Sequence, residues 1–112
     1  MSPMTQTESF LVFTTTETME QAEEIADALL RRRLAACVQV VGPIRSKYWW
    51  KGEVAVAKEW MCLIKTTRGC LDPLADVIRA THTYDVPEMT ATPITHGDPA
   101  YLEWLGAEAS AR

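Results

Sequence analysis

The sequence predicts an α+β protein with the element order β-α-β-β-α-β and a short C-terminal helix, and three observations indicate this order. Four segments are rich in β-branched and aromatic residues, as strands are. Two other segments repeat apolar residues at helical spacing behind residues that start helices. The two middle strands are separated only by Lys51-Gly52, which favours a hairpin. This order is that of the ferredoxin-like split β-α-β fold.

The first strand and the first helix are predicted at the start of the chain. Phe10 to Thr15 has the composition of a strand. Thr18 and Gln21 have the spacing of a capping box, so we expect Thr18 to be the N-cap of a helix that ends near Arg33. The apolar positions that recur at helical spacing are Ala22, Ile25, Ala26, Leu29 and Leu30.

A long hairpin is predicted in the middle of the chain. Ala36 to Val41 is the second strand, and Gly42-Pro43 interrupts it, because proline in a strand indicates a bulge or an edge. The strand resumes from Ile44 to Trp50, and the third strand runs from Glu53 to Thr66. We therefore expect a long, kinked hairpin.

The second half of the chain supplies the remaining elements. Asp72 followed by Pro73 predicts the N-cap and the first position of a second helix. Met89 to Thr95 is predicted as the fourth strand, and Pro93 places it at an edge or a bulge. Asp98-Pro99 repeats the cap signal before the last helix. The apolar positions of the two helices are Leu74, Val77 and Ile78, and Tyr101, Leu102 and Leu105.

Composition and charge fit one domain covering residues 1–112, with a disordered polar tail at about residues 1–7. The net charge of −4 argues against nucleic-acid binding, which usually needs a basic patch.

The apolar run from Phe10 to Phe13 is too short for a signal sequence or a membrane span. Three cysteines without C-x-x-C spacing, Cys37, Cys62 and Cys70, favour a reducing compartment, so we expect a soluble, cytoplasmic protein.

The predicted sheet carries apolar residues on both of its faces. In the first strand Phe10 and Val12 share one face, and Leu11 and Phe13 share the other. Two main helices cover only one face, so further copies of the chain or its own terminal segments have to cover the second. Of these alternatives we favour association.

Several motifs, in this order and spacing, resemble the CutA divalent-cation-tolerance proteins along nearly the whole chain. They are Leu34-Ala35-Ala36-Cys37, Ser46-x-Tyr48-x-Trp50-x-Gly52, Glu59, Leu63-Ile64-Lys65-Thr66, His82-x-Tyr84-x-Val86-Pro87-Glu88 and Tyr101-Leu102-x-Trp104. The resemblance implies a homotrimer that takes part in tolerance to divalent cations, copper among them. We expect no enzyme, because Cys37 and Cys62 lie on strands with apolar neighbours and buried thiols are inert. An enzyme that uses His82 as acid or base is the alternative.

His82 and Glu88 are the candidate metal ligands. A helix cannot continue through the segment from His82 to Glu88, because Pro87 restricts the backbone of Val86 and donates no backbone hydrogen bond. An imidazole and a carboxylate suit Cu(II), but a closed site needs three or four ligands. The resemblance implies a cysteine ligand late in the first strand, where this chain has Thr14. We therefore expect no firmly bound cofactor and weak copper binding at most, with a structural role for His82 as the alternative.

A polar pocket between subunits is the second candidate site. Glu59 and Lys65 share the second face of the third strand, where a buried charge needs a partner. They either pair across subunits or line a pocket with Tyr48, Trp50 and Tyr84. Aromatic residues near a hairpin tip also pack against a second subunit, which is the alternative reading. The rival function is a PII-like signalling trimer that binds a small molecule or a partner protein in such clefts.

Overall fold

The structure, a computed structural model, describes residues 7–110 and confirms the predicted order of elements. The strands form one antiparallel sheet, and no helix in the described range has both the length and the apolar character that a bilayer crossing needs. The predicted disordered tail lies outside the described residues except for Thr7. In chain order the elements are β1 (Ser9–Thr16), α1 (Met19–Arg31), β2 (Cys37–Trp50), β3 (Glu53–Thr67), α2 (Leu71–Thr81), β4 (Thr90–Pro93) and α3 (Pro99–Glu108).

The main core lies between one face of the sheet and the helices. The sheet order is β2-β3-β1-β4, and Val12 of β1 pairs with Ile64 of β3 at its centre, both fully buried. Burial of such side chains is the main term that holds the fold together. The other fully buried large apolar residues come from α1, α2 and α3 and are Ile25, Leu29, Leu74, Ile78 and Leu105.

Two of the predicted helix starts are confirmed. Thr18 Oγ1 accepts a hydrogen bond from the Gln21 backbone N–H at 3.1 Å. Asp98 Oδ2 accepts one from the Tyr101 backbone N–H at 3.2 Å. Each side chain satisfies a backbone donor that has no partner within the helix.

The predicted N-cap at Asp72 is wrong. A 3-10 turn at Arg68–Cys70 runs directly into α2, which therefore begins at Leu71. Cys70 is 1% exposed, so packing of this turn into the core outweighs the local preference for a cap at Asp72. Asp72 and Pro73 lie instead in the first turn, where an acidic side chain favours the helix dipole and a missing N–H breaks no helical hydrogen bond.

The fourth strand is shorter than predicted. β4 ends at Pro93 instead of Thr95, and it starts one residue later than Met89. It lies at the edge of the sheet beside β1, as the proline predicts. Ile94 N–H still donates to Ser9 O at 2.9 Å, so the chain stays beside β1 past the end of β4.

The predicted kink of the hairpin is present at Gly42-Pro43. The pairing of β2 with β3 shifts between Val41 and Ile44, which is a bulge. Here the backbone approaches the indole of Trp60 so closely that a Cβ on Gly42 would lie 2.3 Å from Trp60 Cδ1. Glycine fits this approach because it has no side chain.

The second face of the sheet is only partly covered. All four residues of β4 are exposed. The tip of α3 reaches this face near Lys65, whose Nζ lies 5.6 Å from the centre of the Tyr101 ring. The half-buried apolar side chains of this face are Leu11, Phe13, Met61 and Leu63. The terminal helix therefore leaves most of the second face open.

We expect Gly42→Ala to lower the free energy of unfolding by about 1–3 kcal/mol, because the added Cβ forces the Trp60 ring aside. The matched control is Gly106→Ala in α3, where no neighbouring element within residues 7–110 lies inside 4 Å of the added methyl group. Alanine favours a helix over glycine by about 0.5–1 kcal/mol, so this control should gain stability. Chemical denaturation measures both changes, and an unaltered midpoint for Gly42→Ala would contradict the close approach.

Candidate functional site

The residues that join α2 to β4, His82–Glu88, are called the connector below. His82 ends α2, and its backbone N–H donates to Ile78 O at 2.9 Å. β4 runs antiparallel to β1, so the connector has to pass the C-terminal end of β1 before it enters β4. Pro87 keeps this segment out of a helix. The topology therefore brings the connector beside the hairpin, and Val86 lines a cleft together with Tyr48.

Both ring nitrogens of His82 are used to hold the connector. The Tyr84 backbone N–H donates to Nδ1 at 3.0 Å, and Nε2 lies 2.7 Å from the carbonyl oxygen of Thr15. Because Nδ1 accepts, Nε2 is the ring nitrogen that carries the hydrogen and donates to Thr15 O. A metal ion at His82 would have to displace one of these two hydrogen bonds.

Gln21 is a second residue that fixes the connector, and the sequence analysis missed this role. Its side-chain Oε1 accepts a hydrogen bond from Thr83 N–H at 2.8 Å, and its Nε2 donates to Thr81 O at 3.3 Å. The Gln21 side chain is buried and does not complete the capping box with Thr18. Glutamine at the third helical position is typical of a capping box, so the sequence predicted only a local role for Gln21. Its long-range contact with the connector was therefore not predicted.

Tyr84 and Glu59 form the central polar contact of the site. The Tyr84 hydroxyl donates to Glu59 Oε2 at 2.8 Å, and the Glu59 residue is 5% exposed. Burial raises the pKa of Tyr84 above its ordinary value, and the hydrogen bond to Glu59 and the negative charge of Glu59 raise that pKa further. The phenol is therefore held in its neutral, donating form.

The cleft between the hairpin and the connector has two adjoining parts that share Tyr48 and Val86. One part has a volume of about 310 Å³ and is lined by Tyr48, Trp50, Thr83, Tyr84, Asp85 and Val86. The other has a volume of about 410 Å³ and is lined by Thr15, Ser46, Lys47, Tyr48, Glu59, Val86 and Glu88. A larger hollow of about 710 Å³ lies between β1 and α3, away from the predicted site residues.

Lys65 is the predicted pocket residue that lies apart from the others. Its Nζ donates to Gln39 Oε1 at 3.0 Å and lies over the Tyr101 ring, near α3. Lys65 pairs with Leu11 near the start of β1, whereas the connector passes the end of that strand. Within one chain, four of the five predicted pocket residues line the same cleft, and they are Tyr48, Trp50, Glu59 and Tyr84. A contribution of Lys65 from a second subunit stays a prediction.

The candidate metal ligands do not form a closed site. Glu88 is exposed, lines the cleft and accepts a hydrogen bond from Thr90 Oγ1 at 3.3 Å. Across residues 7–110 no group of three or more His, Cys, Asp or Glu side chains is placed to hold a metal ion. His82 and Glu88 can therefore offer at most two ligands from one chain, fewer than a tight site needs.

The cysteines offer no soft ligand at the connector. Thr14 is fully buried on the helix-covered face, and within the described part of the chain its Oγ1 has no hydrogen-bond partner. Its pairing partner in β3 is Cys62, and burial raises the pKa of the Cys62 thiol to about 11. Cys37, Cys62 and Cys70 are all free thiols in the structure.

The sequence is similar to proteins of one family along most of its length. The profile of the CutA1 divalent ion tolerance protein family matches residues 10–108, which include every residue of the cleft. The chain is 43% identical over 95 residues to the divalent-cation tolerance protein CutA of Thermus thermophilus, with 85% of this chain and 92% of that protein covered. It is 41% identical over 104 residues to the chloroplastic Protein CutA 1 of Oryza sativa subsp. japonica, with 93% of this chain covered but 59% of that protein.

Solved structures share the fold. The structure of the divalent cation tolerance protein from Thermus thermophilus gives a TM-score of 0.89 at 40% identity, covering 91% of this chain and 99% of that one. The crystal structure of CutA1 from Oryza sativa gives a TM-score of 0.90 at 40% identity, covering 95% of this chain and 97% of that one. The chain spans 53% of the length of the Arabidopsis thaliana relative, so it corresponds to about half of some relatives.

We expect Tyr84→Phe to reduce the loss of stability at high pH. Because folding raises the pKa of Tyr84, its contribution to stability is complete below about pH 10, the ordinary value of a tyrosine, and is lost as the pH rises further. The phenylalanine variant has no proton to lose, so its free energy of unfolding should fall less steeply above that pH. Denaturation curves between neutral and alkaline pH measure the slope. Tyr101→Phe is the control, and an equal change in both variants would contradict the assignment.

Proposed function

We propose, because this chain belongs to the CutA1 divalent ion tolerance protein family, that it contributes to tolerance of divalent cations such as copper without catalysing a reaction. The observation that carries this proposal is family membership over residues 10–108. A cytoplasmic location is part of the proposal, and the free cysteines support it because thiols stay reduced in that compartment.

The active form is proposed to be a homotrimer. The open second face of the sheet supports association, because a monomer rarely leaves a contiguous set of apolar side chains only half-buried. The hairpin adds further exposed apolar surface, with Trp49 75% exposed and Val54 and Val56 each more than half exposed. The resemblance to CutA proteins supplies the number three, which the open face alone does not.

Copper is proposed to bind weakly at the connector, with His82 as its principal ligand and Glu88 as a second. Cu(II) prefers imidazole to the oxygen ligands that line this part of the cleft. Copper binding has to break a hydrogen bond of the His82 ring, either to Thr15 O or from Tyr84 N–H. This displacement opposes binding, and it supports a low affinity.

Light scattering tests the trimer. We expect the wild-type protein at micromolar concentration to have the mass of three 12.5-kDa chains. Leu63→Asp should shift it to smaller species, because a carboxylate on the second face cannot be buried without a partner. Ala80→Asp, on the exposed surface of α2, is the control and should leave the mass unchanged. A monomeric wild-type protein would contradict the proposal.

Calorimetric titration with Cu(II) tests the metal contact, and the chain has a matched control because it contains two histidines. We expect His82→Ala to weaken copper binding by about tenfold or more, equivalent to about 1.4 kcal/mol. His96→Ala should have no effect, since His96 lies exposed between β4 and α3. Glu88→Gln should weaken binding less than His82→Ala. Wild-type affinity in His82→Ala would show that copper binds elsewhere.

A further inference from the structure

The carboxylate of Glu59 is buried, and within residues 7–110 only one of its two oxygens has a hydrogen-bond partner. Oε2 accepts a hydrogen bond from the Tyr84 hydroxyl at 2.8 Å. No other hydrogen bond and no ion pair reaches the Glu59 side chain from within residues 7–110. At 5% exposure the group has lost most of its water, and a buried anion without a cation is strongly unfavourable. Glu59 lines the cleft, so a cation in the cleft is placed to reach its free oxygen.

The walls of the cleft also favour a cation. Tyr48, Trp50 and Tyr84 present aromatic rings, and the faces of such rings attract positive charge. Lys51 Nζ already lies 6.0 Å from the centre of the Trp50 ring, at the limit of that attraction. The carboxylates of Asp85 and Glu88 line the same cleft, and its cationic lining residue is Lys47.

The chemical groups that line the cleft indicate which type of cation it binds. A metal ion needs several oxygen, nitrogen or sulfur ligands, but within residues 7–110 no three His, Cys, Asp or Glu side chains are placed to hold one. The part of the cleft that adjoins Glu59 instead has three aromatic rings among its six lining residues. The free oxygen of Glu59 needs a hydrogen-bond donor, which a quaternary ammonium group does not possess. A primary ammonium group supplies both the charge and the N–H donors. The aromatic part of the cleft, about 310 Å³, has the volume of a small-molecule site.

We propose that this cleft binds a primary alkylammonium ion, with Glu59 as the anion that pairs with it and with Tyr48, Trp50 and Tyr84 as its walls. Tyr84 acts as a positioning residue, because its hydroxyl holds Oε2 and leaves the other oxygen for the ligand. The proposal does not require copper to bind at His82.

An ammonium group can come from a free amine or from a lysine of a second copy of the chain. The chain has four lysines, and three of them already lie over aromatic rings of their own chain: Lys51 over Trp50, Lys58 over Trp60 and Lys65 over Tyr101. The fourth, Lys47, lines the cleft from its own strand without an ion pair to Glu59 among the described residues. This distribution favours a free amine as the occupant.

Calorimetric titration of the full chain with n-pentylammonium tests the proposal, with 1-pentanol as the neutral analogue of equal length. We expect pentylammonium to bind and pentanol to bind at least about tenfold more weakly, because the neutral molecule gains neither the ion pair nor the cation–π attraction. Glu59→Gln keeps an acceptor for the Tyr84 hydroxyl and should weaken amine binding by about tenfold or more. Trp50→Leu should also weaken it. The controls are the exposed residues Glu103→Gln and Trp104→Leu in α3, which should bind like wild type.

Three results would overturn the proposal. Equal binding of pentanol and pentylammonium would show a merely apolar cleft. Wild-type affinity in Glu59→Gln would remove the carboxylate from the site. The third is an absence of amine binding together with a lower mass of Glu59→Gln in light scattering. That outcome would mean that a lysine of a second copy fills the cleft in the assembled protein.

Discussion

Two hydrogen bonds of one imidazole join the end of β1 to the connector, and the cleft depends on them for its shape. The His82 ring fixes Tyr84 through the backbone N–H, and the Tyr84 side chain then reaches Glu59 across the cleft. Gln21 holds the adjoining Thr83 from α1. No residue of the connector is fully buried, so these polar contacts take the place of a core. A residue suited to metal binding is therefore used first as a structural support.

What could be predicted from the sequence depended on local interactions. The caps at Thr18 and Asp98 and the kink at Gly42-Pro43 involve residues that are near neighbours along the chain, and local spacing was sufficient to predict them. The role of Gln21 could not be predicted in this way, because it depends on contacts with residues about sixty positions further along. The start of α2 was misplaced for a related reason, since tertiary burial of Cys70 overrides the Asp-Pro signal.

In the candidate site, too, local features could be predicted from the sequence and long-range contacts could not. Strand parity correctly placed Glu59 and Lys65 on one face of β3, but parity does not give position along the strand. Six residues of extended chain separate them by about 20 Å, so within one chain they do not line the same cleft. The contact of Glu59 with Tyr84 arises because β4 lies beside β1 and draws the connector past the strand end. That placement follows from the order of strands in the sheet, which no single motif contains.

The two edge strands of the sheet, β2 and β4, each have a feature that opposes the growth of fibrils. Each edge strand presents unpaired backbone groups that can recruit a further strand, and repeated recruitment gives an open filament. β4 offers only four residues and stops at a proline, which has no N–H to donate. β2 is long, but the bulge near Gly42 breaks the regular spacing of its outward-facing groups. A partner of matching shape can therefore pair with either edge more readily than a repeated series of flat, identical strands can.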